Sequence, residues 1–320
     1  MQTKALKQEK RYLKISALGN VLVGCIGIAV AAVSSSQAIM LDGMFNLTYF
    51  ATGLFTIKVA SLVAGGDDER FPHGYAFFEP LVNGIKGMLV LGVSVMALIG
   101  SVQALLTGGR AIAAGVAIAY GIFASTVCWS VALVMRRGAR RSDSPLGNAD
   151  AENWLVNAAI SSCVLFAFGG IFLLKTLEFD RLVPYVDPTV VLAVVTISIA
   201  VPVRMAWNAL MALMNRAPGG EILAQVTETV DSSLAELPVR ERFIRVIQPG
   251  RQRLVLVHVV LPGDYEPGPM EFLDTIRRQT CQALRKDHLV TAVDILFTAD
   301  RRWGAPLSDG GFGGPATSVS

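Results

Sequence analysis

Four long stretches of the chain contain no charged residue. Residues 15–41, 87–109, 111–135 and 153–174 lack Asp, Glu, Lys and Arg entirely, and each exceeds the roughly 18 residues at which an apolar run reads as a membrane-spanning helix. The composition agrees: 52% of the 320 residues are hydrophobic and only 17% are charged, against about 25% charged in an ordinary soluble domain. The chain therefore reads as a polytopic α-helical membrane protein, with the lipid bilayer as its surroundings and no nucleic acid expected among its partners. The first run follows Lys4, Lys7, Lys10, Arg11 and Lys14 and is too long for a signal-peptide core of about 7–15 residues, so it is expected to be retained. Cys25, Cys128, Cys163 and Cys281 form no CxxC pair; the first three read as small apolar-run residues.

Six spanning helices are expected near residues 15–34, 37–64, 78–106, 111–135, 149–174 and 188–214. The segment "MRRGARRSD" and the N-terminus are basic, whereas "SSSQ", "TGGR" and "LEFDRLVPYVDP" are poor in Lys and Arg. The positive-inside rule then places both termini and the loop "GGDDERFPH" in the cytoplasm. With no separate targeting segment read, a bacterial inner or plasma membrane is expected. Three regions follow: a transmembrane domain over 1–215, a cytoplasmic α+β domain over 216–300 and a disordered Gly/Ser/Pro-rich tail over 301–320. In the second region Ile222, Val226, Val230 and Leu234 share a helix face. "RFIRVIQPGRQRLVLVHVVL" reads as two strands around a Pro-Gly turn. An amphipathic helix and a strand "TAVDILFTAD" complete an α-β-β-α-β pattern with two helices on one face of a three-stranded sheet.

An ionisable side chain at bilayer depth costs at least about 2–3 kcal/mol and normally faces a partner or a functional cavity. Helix 2 carries Asp42, Asn46 and Tyr49, with Lys58 placed to snorkel to the cytoplasmic interface. Helix 3 carries Glu79, Asn83 and Lys86 on one stripe, Glu79 suiting the helix N-terminus. On helix 5 Asp150, Asn153 and Asn157 line up, with Glu152 alongside. Arg204 on helix 6 either pairs with a carboxylate or lines a vestibule. The amides read either as hydrogen-bond glue between helices or, with the carboxylates, as ligands for a hard cation.

In their order and spacing, "SQAIMLDGMFNLTYF", "FPHGYAFFEPLVNGIKG", "ADAENWLVNAAISS" and "LMNRAP" resemble the cation diffusion facilitator family. The resemblance runs to about residue 300. It implies six helices and a metallochaperone-like cytoplasmic domain, homodimers, and export of divalent metals such as zinc in exchange for protons. The transported ion is then a substrate, and no resident cofactor is expected. The resemblance also implies a tetrahedral site with two ligands four residues apart on each of helices 2 and 5. Here those slots fall on Phe45 and Tyr49, and on Asn153 and Asn157. Phe45 offers no ligand atom, and Asn is a poor partner for zinc. Asp42 and Asp150 remain one turn away, and Lys86 stands where the family usually has Asn. In the cytoplasmic parts Asp67, Asp68 and His73 remain in the loop, with Phe71 in place of a His. His258 lies on a strand, with Arg242 and Phe297 expected beside it.

Two readings follow. In one, Asp42, Asn46, Asp150, Asn153 and Asn157 form an oxygen-rich cage for a harder cation. In the other, Lys86 pairs with Asp42 or Asp150 in place of the metal, and the chain is a non-transporting regulatory or scaffold dimer. A variant has Lys86 itself titrate and drive coupling.

Overall fold

The computed structural model describes residues 2–309 except 64, 73, 143–144, 251 and 267, and describes side chains from residue 12, leaving out also 13, 60, 139–142, 145–152, 156 and 307. Asp150, Glu152 and His73 thus lie outside the described side chains. The described residues form nine α-helices and three strands. They divide into two compact units, Met1–Asp67 with Leu81–Ala209, and Asp68–Pro80 with Leu210–Ser320.

The first unit is helical: α1 (Gln2–Ser34), α2 (Gln37–Val63), most of α3 (Phe78–Leu106), α4 (Ala114–Ser142), α5 (Pro145–Thr176), α6 (Val183–Ser198) and most of α7 (Ala200–Leu213). Five segments are long and apolar enough to cross a membrane: Lys14–Ser34, Phe78–Leu106, Ala114–Gly138, Asn153–Thr176 and Asp180–Leu213. α2 is not among them. Its 27 residues would measure about 40 Å at 1.5 Å per residue, but Asp42, Asn46, Tyr49 and Lys58 lower its hydropathy.

The last apolar segment, expected as a single helix, is divided at Ile199. Pro202 has no N–H to offer the Ser198 carbonyl, and its ring crowds that carbonyl. Pro188 frees the Pro184 carbonyl in the same way, and Arg110 N–H takes it up at 2.7 Å.

Small residues set the closest approaches. A Cβ on Gly43 would lie 2.9 Å from Ile28 N, and one on Gly87 2.9 Å from Ala206 N, so α1 meets α2, and α3 meets α7, backbone to backbone. Trp154 is buried and donates from Nε1 to Ser16 Oγ at 2.9 Å, fastening α5 to α1. Ser35, at φ 59°, ends α1. Ser36 opens α2 by accepting from Ile39 N at 3.2 Å, as an N-cap does. A second oxygen source for that helix start comes from far along the chain. The fully buried Asp187 of α6 accepts from Gln37 N at 3.0 Å and Ala38 N at 3.2 Å.

The second unit contains α8 (Gly220–Ser233), β1 (Glu241–Ile247), β2 (Arg253–Val260), α9 (Met270–Leu284) and β3 (Val290–Thr298). The sheet order is β1-β2-β3, with β1 antiparallel and β3 parallel to β2. Alternation puts Val255, Val257 and Val259 on one face, where Val226 and Val230 of α8 and Ile276 and Leu284 of α9 cover them. The opposite face carries Phe243, Arg245 and His258. Residues 301–309, expected to be disordered, form two short 3-10 turns. Gly304 sits on that second face, with room for no Cβ against Phe243 and His258, and its carbonyl accepts from Arg245 Nη2 at 2.7 Å. Composition alone suggested disorder; a chain lacking side-chain bulk is also what a close approach to a sheet requires.

Candidate functional site

The polar residues of α2 meet those of α4 and α5 in one hydrogen-bonded chain. Asp42 Oδ2 accepts from the Tyr120 hydroxyl at 2.6 Å, and Oδ1 accepts from Asn46 Nδ2 at 3.2 Å. The fully buried Asn46 also donates to the Asp42 carbonyl at 2.8 Å, and its Oδ1 accepts from Asn157 Nδ2 at 3.3 Å. Asn157 Nδ2 lies 3.7 Å from Cys128 Sγ, which lies 3.8 Å from Ser161 Oγ. The spacing of α2 explains its part: residues four apart share a face, so Asp42 and Asn46 point the same way.

A cavity of about 30 Å³ adjoins this chain, lined by Asp42, Phe45, Tyr120, Asn157 and Ser161 together with Ala38, Ile39, Val191 and Val194 among its apolar walls. It has room for about one or two waters, or for one cation stripped of most of its shell. Asp42 is the only formal charge among its lining residues. The oxygens present are carboxylate, phenol, amide and hydroxyl, a donor set suited to hard cations. No group of three or more His, Cys, Asp or Glu able to hold a metal occurs among the described residues, so a zinc-type thiolate or imidazole cluster is absent there.

A profile of the cation efflux transmembrane domain matches residues 13–214. The chain belongs to the cation efflux, or cation diffusion facilitator, family. It is 29% identical over 83 residues to an uncharacterized transporter of Methanocaldococcus jannaschii, covering 26% of this chain and 29% of that protein. It is 21% identical over 234 residues to an uncharacterized transporter of Synechocystis, covering 73% of each. The chain thus spans under a third of the first relative and almost three quarters of the second.

Of the five residues expected to form a cation efflux site, Asp42, Asn46 and Asn157 come together. Asn153 is exposed and joins no part of the network described here; the buried face of α5 runs through Trp154, Ala158, Ser161 and Phe168. Asp150 lies outside the described side chains. Tyr120, Cys128 and Ser161 take part without having been expected. Tyr120 and Cys128 sit in an uncharged run where nothing separates a network member from a core residue. Ser161 was signalled, since it extends the Asn153–Asn157 stripe by one more i+4 step.

Of the two residues expected at the family's helix 2 ligand slots, Phe45 lines the cavity and Tyr49 lies under Lys86, whose Nζ is 4.5 Å from the Tyr49 ring centroid. This cation–π contact is a Lys86 interaction seen beside α2, whereas the alternative reading has Lys86 pair with Asp42 or Asp150, the latter outside the described side chains. Both Asp42 oxygens are engaged by Tyr120 and Asn46, and Tyr49 stands seven residues, about 10 Å, along α2. Of the Glu79–Asn83–Lys86 stripe on α3, Asn83 is exposed, and Glu79 falls in the second unit, against Gly250.

Asp68 and His258, expected as cytoplasmic candidates, have structural partners, while His73 lies outside the described residues. Asp68 Oδ1 accepts from Arg70 N at 2.9 Å and Phe71 N at 2.8 Å, while Oδ2 accepts from the Tyr75 hydroxyl at 2.6 Å. These donors, Tyr75 foremost, hold its carboxyl below the usual range. Phe71, Tyr75 and Phe78 stack around that turn. His258 was expected between Arg242 and Phe297; it pairs in register with Phe243 and Leu296. Its Nδ1 lies 3.3 Å from Arg245 Nη1, Arg242 bonds Asp231 instead, and Phe297 stacks under Arg277. A guanidinium at that distance opposes a metal cation on the same nitrogen.

Partial burial, and then Arg245, hold the His258 imidazole below its ordinary pKa. The folded state therefore binds this proton less readily than the unfolded chain. Its contribution to stability is complete above about pH 6.5 and is lost as pH falls from there through the folded value. Thermal unfolding of the full chain from pH 7.5 to 5 should show the second domain losing stability on acidification, and His258→Gln should flatten that decline. An unchanged pH profile in the variant would remove this role.

Proposed function

We propose that the chain exports a cation from the cytoplasm, exchanging it for protons, through a non-standard oxygen-rich site at Asp42, Asn46 and Asn157. The proposal includes six spanning helices with both termini cytoplasmic, and a homodimer as the working form. α2 is long enough to supply the sixth span despite its polar residues. Asp150 and Asn153 remain proposed members of the site, reached in a state in which α5 is turned toward the cavity. The observation that carries the reading is the Asp42–Asn46–Asn157 chain, which joins α2 to α5 beside a cavity in a cation efflux domain. Hydroxyl and amide donors satisfy the carboxylate in this state. A cation entering the cavity would displace them and turn their oxygens inward. The transmembrane helices contain no His, whose ordinary pKa suits proton exchange, so Asp42 is the group assigned to take up the proton.

Proteoliposome flux across a panel of Mn²⁺, Mg²⁺, Fe²⁺, Zn²⁺, Na⁺ and K⁺, with and without a pH gradient, tests this. Gradient-driven movement of a hard cation exceeding that of Zn²⁺ is expected; no flux for any ion would defeat the proposal. The placement of the Lys86 ammonium on Tyr49 favours a second reading. There a resident cation replaces the metal at a family ligand slot, and the dimer regulates rather than transports. Lys86→Asn, which would then create metal binding where the parent has none, distinguishes the two.

A further inference from the structure

The cavity beside Asp42 is walled on one side by Ala38 and Ile39 of α2 and by Val191 and Val194 of α6. Apolar contacts of this kind slide readily. The polar contact that fastens these two helices here is made by Asp187. This carboxylate is fully buried, lies one turn before Val191, and takes three hydrogen bonds from the start of α2: Ser36 Oγ at 2.5 Å, Gln37 N at 3.0 Å and Ala38 N at 3.2 Å. One of those donors, Ala38, itself lines the cavity. A carboxylate on the positive end of a helix, with backbone donors aimed at it, is held by both the dipole and charge-assisted bonds. The mechanism built on Asp42 does not use it.

Beside it, the Gln37 side chain reaches the Ala97 carbonyl at 3.1 Å on α3, while its own Oε1 is buried without a hydrogen-bond partner. The start of α2 is therefore tied to α6 by three bonds to one carboxylate and to α3 by one side-chain bond, so release of that carboxylate removes its polar tie to α6.

We propose that Asp187 is the latch of the cavity's α2–α6 wall. It is a positioning residue whose three bonds keep the cavity closed at this end, and the cavity opens between α2 and α6 when they break. The inference rests on the reading of this cavity as the cation site. The closing measurement reports opening directly, so an absence of flux would defeat that reading without deciding this one.

Cys128 provides the reporter, being buried in the network next to the cavity, whereas Cys25 and Cys163 are exposed and Cys281 belongs to the second unit. In full-length protein with those three replaced by Ser and reconstituted in nanodiscs, N-ethylmaleimide should modify Cys128 slowly. Asp187→Asn should raise that rate roughly tenfold or more, as removal of a charged acceptor from the closed state predicts. Ser36→Ala should raise it less, and Asp187→Glu should return it toward the parent. Hydrogen exchange should quicken at residues 37–41 while α4 and α5 keep their protection. Parental alkylation rates in both Asp187→Asn and Ser36→Ala would overturn the latch, as would exchange raised equally through α4 and α5. If Asp187→Asn fails to fold, Ser36→Ala decides the matter alone.

Discussion

Asp42→Asn is expected to reduce cation flux by roughly two orders of magnitude or more, with the protein still folded. The amide keeps the shape of the carboxylate. Its oxygen still accepts from the Tyr120 hydroxyl, 2.6 Å away in the parent, and its surroundings still include Asn46. What disappears is the single formal charge lining the cavity. A cation in a low-dielectric cavity without a counter-charge bears a desolvation cost of several kcal/mol that amide and hydroxyl dipoles do not repay. The exchanged proton also loses its carrier. Flux in proteoliposomes, beside thermal unfolding in detergent, separates loss of charge from loss of fold. A variant retaining half of the parental flux would show that Asp42 is not the charge the cation meets.

Gly27→Ala is expected to cost about 1–3 kcal/mol, the range for overfilling a packed site, and to lower the unfolding temperature by several degrees. A Cβ at this position would lie 2.7 Å from the Tyr120 hydroxyl and 3.0 Å from the Gly43 Cα. The helix crossing must widen or Tyr120 must leave Asp42. The choice can be tested: if the hydroxyl is what the methyl meets, Tyr120→Phe in the same chain opens room for it. The double variant should then be less destabilised than the sum of the two single changes, a coupling expected of residues in contact. Additive losses would place the strain at Gly43 and detach Gly27 from the site. Loss of flux in Gly27→Ala should accompany loss of the Tyr120–Asp42 bond, and the double cycle measured by flux as well as stability would link packing to function.

Much of the architecture was legible because it depends on local composition. Uncharged runs mark helices in a medium without water, and alternation of Val255, Val257 and Val259 with Leu254, Leu256 and His258 marks a sheet with one covered face. The α2 half of the site was legible for the same reason: Asp42 and Asn46 are four residues apart, and a helix puts such residues on one face. The α5 half was legible only in part. The same spacing predicts that Asn153 and Asn157 act together, yet Asn153 is exposed while Asn157 reaches Asn46. Periodicity defines a face but not where along that face a neighbouring helix begins to cover it. His258 gave a similar lesson. Its place on a strand was readable, but its neighbours depend on register, and a shift of one residue changes which side chains it meets.

The sequence by itself determined that this chain is a membrane protein of the cation efflux family and that a small α+β domain follows the helices. The membrane character and the α+β domain follow from residue identity and near-neighbour spacing, and the family from the order of its motifs along the chain. Only the tertiary structure decided that Tyr120 engages Asp42, that Cys128 and Ser161 extend the network, and that Asp187, 151 residues after Ser36, fastens the start of α2. These are contacts between helices. Their partners are chosen by how closely backbones approach at Gly27 and Gly43 and by which faces meet, and no local spacing along a single helix contains that information.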